Sequence, residues 1–176
     1  MEAPIVEPES DWEAFTLPFE IGSGRSMFVE TPNGPTIRMR FFKRSSDASL
    51  VGRVWFGSVT FGPPGFVHGG LVSFVLDEAM GSCVWLRGYP SVAANLNFDF
   101  AEMTPLQKDC LVEARIVKVE PNKLLVESTL SLEGITLVKG RGVFARLKKA
   151  HVESVFREAE TTLSNLPDFE FAEGSG

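Results

Sequence analysis

The chain is poor in the patterns that most catalytic and metal-binding chemistries need. It holds two cysteines, Cys83 and Cys110, and two histidines, His68 and His151. Both cysteines sit inside apolar patterns, without zinc spacing or a disulfide framework, which points to a reducing, cytoplasmic setting. There is no G-x-S-x-G elbow and no H-E-x-x-H pair. Neither a metal nor a cofactor is therefore expected. No internal repeat or low-complexity tract is present. The opening residues M-E-A-P-I-V-E-P-E-S read as neither a signal peptide nor a basic transit peptide. The main apolar run, Leu71 to Leu86, is interrupted by Asp77-Glu78 and falls short of the ~20 residues of a membrane span, so no span is expected.

What is present fits one domain with a real core. The chain has 176 residues, 44% of them hydrophobic and 11% aromatic. Its net charge of -6 is uneven. The first twenty residues and the last twenty-six are strongly acidic, so the intervening core is basic. An acidic total argues against nucleic acid as a partner. A basic core is compatible with a small phosphorylated ligand.

The stretch from Phe61 to Gly88 organises the rest. Gly62-Pro63-Pro64-Gly65 forms a rigid turn. His68-Gly69-Gly70 then opens a helix whose first N–H groups lack intrahelical partners. The run that follows is apolar nearly all round and so reads as a buried helix. Ser73, Asp77 and Gly81 form a narrow stripe at i, i+4, i+8. A carboxylate in such a wall is desolvated, paired or used.

Around this helix the alternation predicts strands. They cover 36–42, 50–59, 91–100, 110–119, 123–132 and 135–147, the last two joined across Glu133-Gly134. In the 91–100 strand, Val92, Ala94, Leu96, Phe98 and Phe100 share one face, and Ala93, Asn95, Asn97 and Asp99 the other. The order β-β-α-β-β-β-β, with one buried helix among antiparallel strands, is α+β. Residues 1–35 read as an arm, irregular at its start with at most a helical turn. Residues 36–150 form the domain. Residues 151–176 read as an amphipathic helix through Val152, Val155, Phe156, Ala159, Leu163 and Leu166, with a loose acidic tail from Phe169.

Two groups carry chemistry. The Gly69 and Gly70 N–H groups, at the positive end of the helix dipole, suit an oxyanion or a thioester carbonyl. Asp77 is a base or nucleophile whose pKa burial displaces upward from about 3.9. Eight residues at ~1.5 Å each separate Gly69 and Asp77 by about 12 Å, too far to share one reacting atom. Two such helices running antiparallel about a two-fold axis would bring Gly69 of one subunit to Asp77 of the other.

These residues resemble the hotdog-fold acyl-CoA thioesterases of the phenylacetate-degradation and 4-hydroxybenzoyl-CoA thioesterase group. The carriers are H-G-G at 68–70, Asp77 nine residues after His68, and the element order. G-P-P-G-F-V-H-G-G and A-N-L-N-F-D-F-A-E-M-T-P-L look closest to the carboxyl-terminal modulator type of thioesterase superfamily member. The likeness covers roughly residues 36–147. It implies the hotdog fold, an antiparallel sheet wrapped around one central helix, and homodimers or dimers of dimers sharing one sheet. It implies hydrolysis of an acyl-CoA or acyl-carrier thioester, with Asp77 as catalytic acid, Gly69 as oxyanion donor and His68 shaping the site. Two positions depart from the pattern. Gly62 stands where some branches carry Asn or Gln. Ala93 stands where the nearest branch has a Thr that holds the attacking water. Ser73, Ser91 and Asn95 are the candidates to replace that Thr.

Gly70, Phe66, Ser73 and Asn95 are accordingly expected on the substrate. Phe74 and Trp85 are further candidates for the acyl channel, and Arg87, Arg141, Arg146 and Lys148 for the CoA phosphates. The leading reading is thioester hydrolysis. A second is a catalytically weak protein that binds acyl-CoA or a protein partner, and Ala93 is its best support. Hydratase chemistry would need a differently spaced His and acid.

Overall fold

The computed structural model describes residues 7–15, 36–158 and 169–172. Its elements are β1 (Trp12–Glu13), β2 (Ile37–Arg44), β3 (Leu50–Phe56), α1 (Gly69–Leu86), β4 (Ser91–Phe100), β5 (Asp109–Val119), β6 (Lys123–Leu132), β7 (Ile135–Arg146) and α2 (Lys149–Glu158). A 3-10 turn, Ser58–Thr60, precedes the Gly/Pro loop. The strands form one antiparallel sheet in the order β1-β2-β3-β5-β6-β7-β4. The expected α+β order of hairpin, helix and four further strands is the one observed. The β6–β7 hairpin turns on Glu133 and Gly134, with φ of 51° and 81°. Positive φ at both central residues matches the right-handed twist of the flanking strands.

The sheet curves around α1. The helix buries Val72, Val75, Leu76, Ala79, Met80 and Cys83 against Leu50, Val54, Val112, Ala114, Leu124, Val126, Leu130 and Phe144. Each fully buried aliphatic side chain contributes about 1.5–3 kcal/mol. The approach is close at Gly142, where a Cβ would lie 2.6 Å from the Phe144 ring and 3.2 Å from Met80 Sδ. By length and apolarity alone, the 18 residues of α1 would pass for a membrane-crossing helix. In this fold they pack within the sheet, and half of the segment is buried there.

Three expectations need correction. The arm is not irregular throughout: Trp12–Glu13 pairs with Lys43–Arg44 as an edge strand, and Trp12 packs on Phe42 with ring centroids 5.4 Å apart. The alternation read along β4 is broken by a bulge at Ala94, because Ala93 pairs with Phe144 while Asn95 pairs with Val143. One extra residue reverses the faces. Ala93 therefore joins Leu96, Phe98 and Phe100 on the helix side, and Val92 joins Asn95 and Asn97 on the outer side.

The third correction concerns the C-terminus. Phe169 is not loose: it meets Trp85 edge-on, with centroids 5.8 Å apart. The Glu170 and Ala172 N–H groups donate to the Gly88 and Leu147 carbonyls. Arg146 Nη2 donates to the Glu170 and Phe171 carbonyls at 3.0 and 2.8 Å. In the expected C-terminal helix Val152 is buried, while Ala159, Leu163 and Leu166 lie outside the described residues.

Candidate active site

The Gly/Pro loop delivers the chain to α1 as a short antiparallel turn. Phe61 bridges to Val67, and Phe66 to Pro105. The His68 N–H donates to the Thr60 carbonyl at 2.9 Å. His68 then stands as N-cap with extended backbone, φ -63° and ψ 126°. Its Nδ1 accepts the Gly70 N–H at 3.1 Å. An accepting Nδ1 carries no proton, so the neutral ring holds its proton on Nε2.

This sorts the two N–H groups that the sequence leaves equivalent. The Gly70 N–H is capped, which corrects the expectation that both are free. The Leu71 and Val72 N–H groups donate to the His68 carbonyl. The Gly69 N–H has no partner among the described residues. It opens the helix where the dipole is positive, so it favours an oxygen carrying developing negative charge.

Gly69 borders a cleft of about 460 Å³. Phe66, Val67, Val72, Phe100, Met103 and Thr104 line it with Gly69. The Phe100 ring lies against Gly69, 3.5 Å from where a Cβ would stand. Phe66 is thus brought to Gly69 as expected. Phe100, Met103 and Thr104 were not anticipated. The alternation of β4 placed Phe100 on an apolar face, but nothing in the sequence joined that face to the helix start.

Asp77 is half-buried on the open side of α1, in line with Ser73 and Gly81. Burial alone pushes its carboxyl above the usual carboxylate range. No cation or hydrogen-bond donor meets it among the described residues. It lies two turns from Gly69, about 12 Å along the axis, and does not line the cleft.

The other candidates separate. Ser73 Oγ donates to the Gly69 carbonyl at 3.1 Å, so its hydroxyl serves the helix backbone. Ser91 Oγ donates to the Tyr89 carbonyl at 3.0 Å. Asn95 lies on the outer face, opposite Val143. The position facing α1 is Ala93, whose partner Phe144 reaches toward Gly81, one turn beyond Asp77. Trp85 Nε1 donates to the Ser91 carbonyl at the far end of the helix, and Phe74 packs on the core. Arg146 is committed to the C-terminal segment and to the Tyr89 ring. Arg141 pairs with Asp99 at 2.5 Å on the outer face. Burial raises the Cys83 thiol to about 11 and the Cys110 thiol to about 12, so neither is a nucleophile at neutral pH.

Residues 64–139 match the family model of the thioesterase superfamily. The acyl-coenzyme A thioesterase THEM4 of Rattus norvegicus is 38% identical over 69 residues, covering 39% of this chain and 30% of that protein. THEM4 of Bos taurus is 28% identical over 151 residues, covering 84% of this chain and 57% of that protein. The chain thus spans between 30% and 57% of the length of these curated relatives. Among solved structures, protein BH2602 of Bacillus halodurans with CoA is 28% identical, with a TM-score of 0.51 over 55% of this chain and 66% of that one. The matched segment runs from the Gly/Pro loop through the uncapped Gly69 N–H and the half-buried Asp77 to β7, and over it the chain is similar to the thioesterase superfamily, with an antiparallel sheet and one central helix like those of its solved neighbours.

Proposed function

We propose that the chain hydrolyses acyl-CoA thioesters in sites shared across a two-fold homodimer. The observation that carries this reading is the pairing of functions along α1: an unpartnered N–H at Gly69 beside an apolar cleft, and an unpaired, desolvated carboxylate at Asp77. In the reaction, Gly69 N–H donates to the thioester carbonyl oxygen. Water attacks the carbonyl carbon and gives its proton to Asp77 of the partner subunit. The C–S bond then breaks, and the CoA thiolate leaves and takes up a proton. The THEM4 relatives are named acyl-coenzyme A thioesterases, and BH2602 was solved with CoA. The buried free thiols support a reducing compartment, the cytoplasm.

The dimer is supported by the unpaired edge of β4. An open edge ten residues long is a ready template for pairing with another strand. Val92 and Phe100 are exposed on it, and Phe61 before α1 and Met103 after β4 are exposed as well. Pairing two β4 edges about a two-fold axis would lay the open faces of the two α1 helices together.

The test is complementation. Asp77→Asn and Gly69→Pro homodimers are each expected to be inactive in a free-thiol assay against a panel of acyl-CoAs. In a mixed dimer one site receives both lesions and the other receives none. Random exchange of equal amounts restores activity to about a quarter of wild type. No recovery in verified mixed dimers would mean that each subunit holds a complete site.

A second reading is a protein that binds acyl-CoA or a protein partner with weak catalysis. Ala93 favours it, since a methyl group facing α1 holds no water. Tight acyl-CoA binding without thiol release would select it.

A further inference from the structure

Thr60 is the last residue of the 3-10 turn that follows β3, and it is only 4% exposed. Its Oγ1 donates to the Gly57 carbonyl at 2.6 Å. The Thr60 N–H reaches the same carbonyl at 3.1 Å. The hydroxyl contact is short for its kind and the N–H contact long for its kind, so the side chain holds the turn closed. Gly57 is itself tied to the sheet, because its N–H donates at 2.8 Å to the carbonyl of Thr36, the residue before β2. On its other side the Thr60 carbonyl accepts the His68 N–H at 2.9 Å. A continuous series of hydrogen bonds thus runs from the sheet, through Thr60, to the residue before Gly69.

We propose that Thr60 is a positioning residue for the oxyanion donor: its hydroxyl locks the turn that keeps the Gly69 N–H in its working direction. This rests on the acyl-thioester reading above. The peptide group that carries the Gly69 N–H begins at the His68 carbonyl and is planar. Its direction is therefore set at His68. The helix holds one side, since the His68 carbonyl accepts the Leu71 and Val72 N–H groups. The turn holds the other side, through the His68 N–H on the Thr60 carbonyl. Oxyanion stabilisation depends on donors fixed in place before the reaction. Without the Thr60 hydroxyl, the Gly57 carbonyl keeps only the longer N–H contact from Thr60, and the turn that carries His68 loosens. A misplacement of about 1 Å can cost about 10²-fold in rate, and a smaller one correspondingly less.

The test is a double-mutant cycle on kcat, read by thiol release where circular dichroism shows every variant folded. Thr60→Val keeps the shape and removes the hydroxyl. It should lower kcat by about tenfold and leave KM within about twofold. Thr60→Ser keeps the donor and should hold kcat within about twofold of wild type. On a Gly69→Pro background, read at high enzyme concentration, Thr60→Val should cost no more than about a further twofold, because the donor it positions is already gone. A folded Thr60→Val with wild-type kcat, a Thr60→Ser as slow as Thr60→Val, or an equal loss on both backgrounds overturns the proposal. Thr60→Ala, which also lacks the hydroxyl, replaces Thr60→Val if the latter does not fold. If wild type hydrolyses no acyl-CoA, the hydrolytic reading fails on its own, and the role of Thr60 is read from amide resonances. The wild-type His68 N–H should be protected from exchange. Thr60→Val should speed that exchange by about tenfold and shift the Gly69 resonance, and Thr60→Ser should do neither. A freely exchanging His68 amide in wild type, or a Gly69 resonance that Thr60→Val leaves in place, overturns the role of Thr60 as well.

Discussion

His68 Nδ1 accepts the N–H of Gly70 at 3.1 Å and leaves the N–H of Gly69 unpartnered. One side chain thereby caps the start of α1 and decides which of two adjacent glycine N–H groups is left without a partner among the described residues. Replacing His68 with Ala should lower stability by about 0.5–2 kcal/mol, the usual cost of losing an N-cap. His68→Asn offers a capping oxygen in place of Nδ1 and should recover most of that loss. Denaturant unfolding of the three proteins checks this, and equal midpoints would show that the cap contributes nothing.

Gly69→Pro should fold and lose activity. Position 69 is the first residue of the helix, where proline is favoured and its absent N–H disturbs no helical bond. The extended backbone of His68 suits a residue before proline. Removing the donor should lower kcat by about 10²–10³-fold. Circular dichroism verifies the fold, and near-normal kcat in a folded variant would remove Gly69 from the oxyanion role.

Asp77→Asn should reduce hydrolysis by about 10²–10⁴-fold, the usual contribution of a positioned base. The amide keeps the shape of the side chain, so the fold should persist. Retained wild-type turnover would assign the base elsewhere.

The desolvated Asp77 also sets a pH dependence. Its carboxyl lies above the ordinary range, so activity should fall with acid through an apparent pKa above about 3.9. The folded chain binds this proton more tightly than the unfolded chain. Stability is therefore lost as pH rises through the window between the unfolded and folded pKa values. Asp77→Asn should be the more stable protein above that window and gain nothing below it. Denaturation at several pH values reads the difference, and a gain confined to acid would reverse the sign.

Gly142→Ala tests the closeness of helix and sheet. The new methyl would meet the buried Phe144 ring at 2.6 Å, and overpacking of this kind costs about 1–3 kcal/mol. An unchanged thermal midpoint would mean that the ring moves aside freely.

The sequence by itself determined the elements that rest on local chemistry. The Gly/Pro turn, the H-G-G helix start, the apolar run with Asp77 on its stripe and the Glu133-Gly134 hairpin each follow from backbone restrictions and periodicity within a few residues. Tertiary structure decided whatever depended on register or on distant partners. The bulge at Ala94 turned Asn95 outward and Ala93 inward, because one inserted residue shifts a two-residue period, and no composition signal marks it. Phe100, Met103 and Thr104 became cleft residues only when Val67 and Phe66 bonded to the loop that follows β4. Arg146 was bound by carbonyls of the C-terminal segment 24 and 25 residues ahead. The choice between two adjacent glycine N–H groups came from a single side-chain rotamer, a three-dimensional fact that the letters H-G-G do not contain.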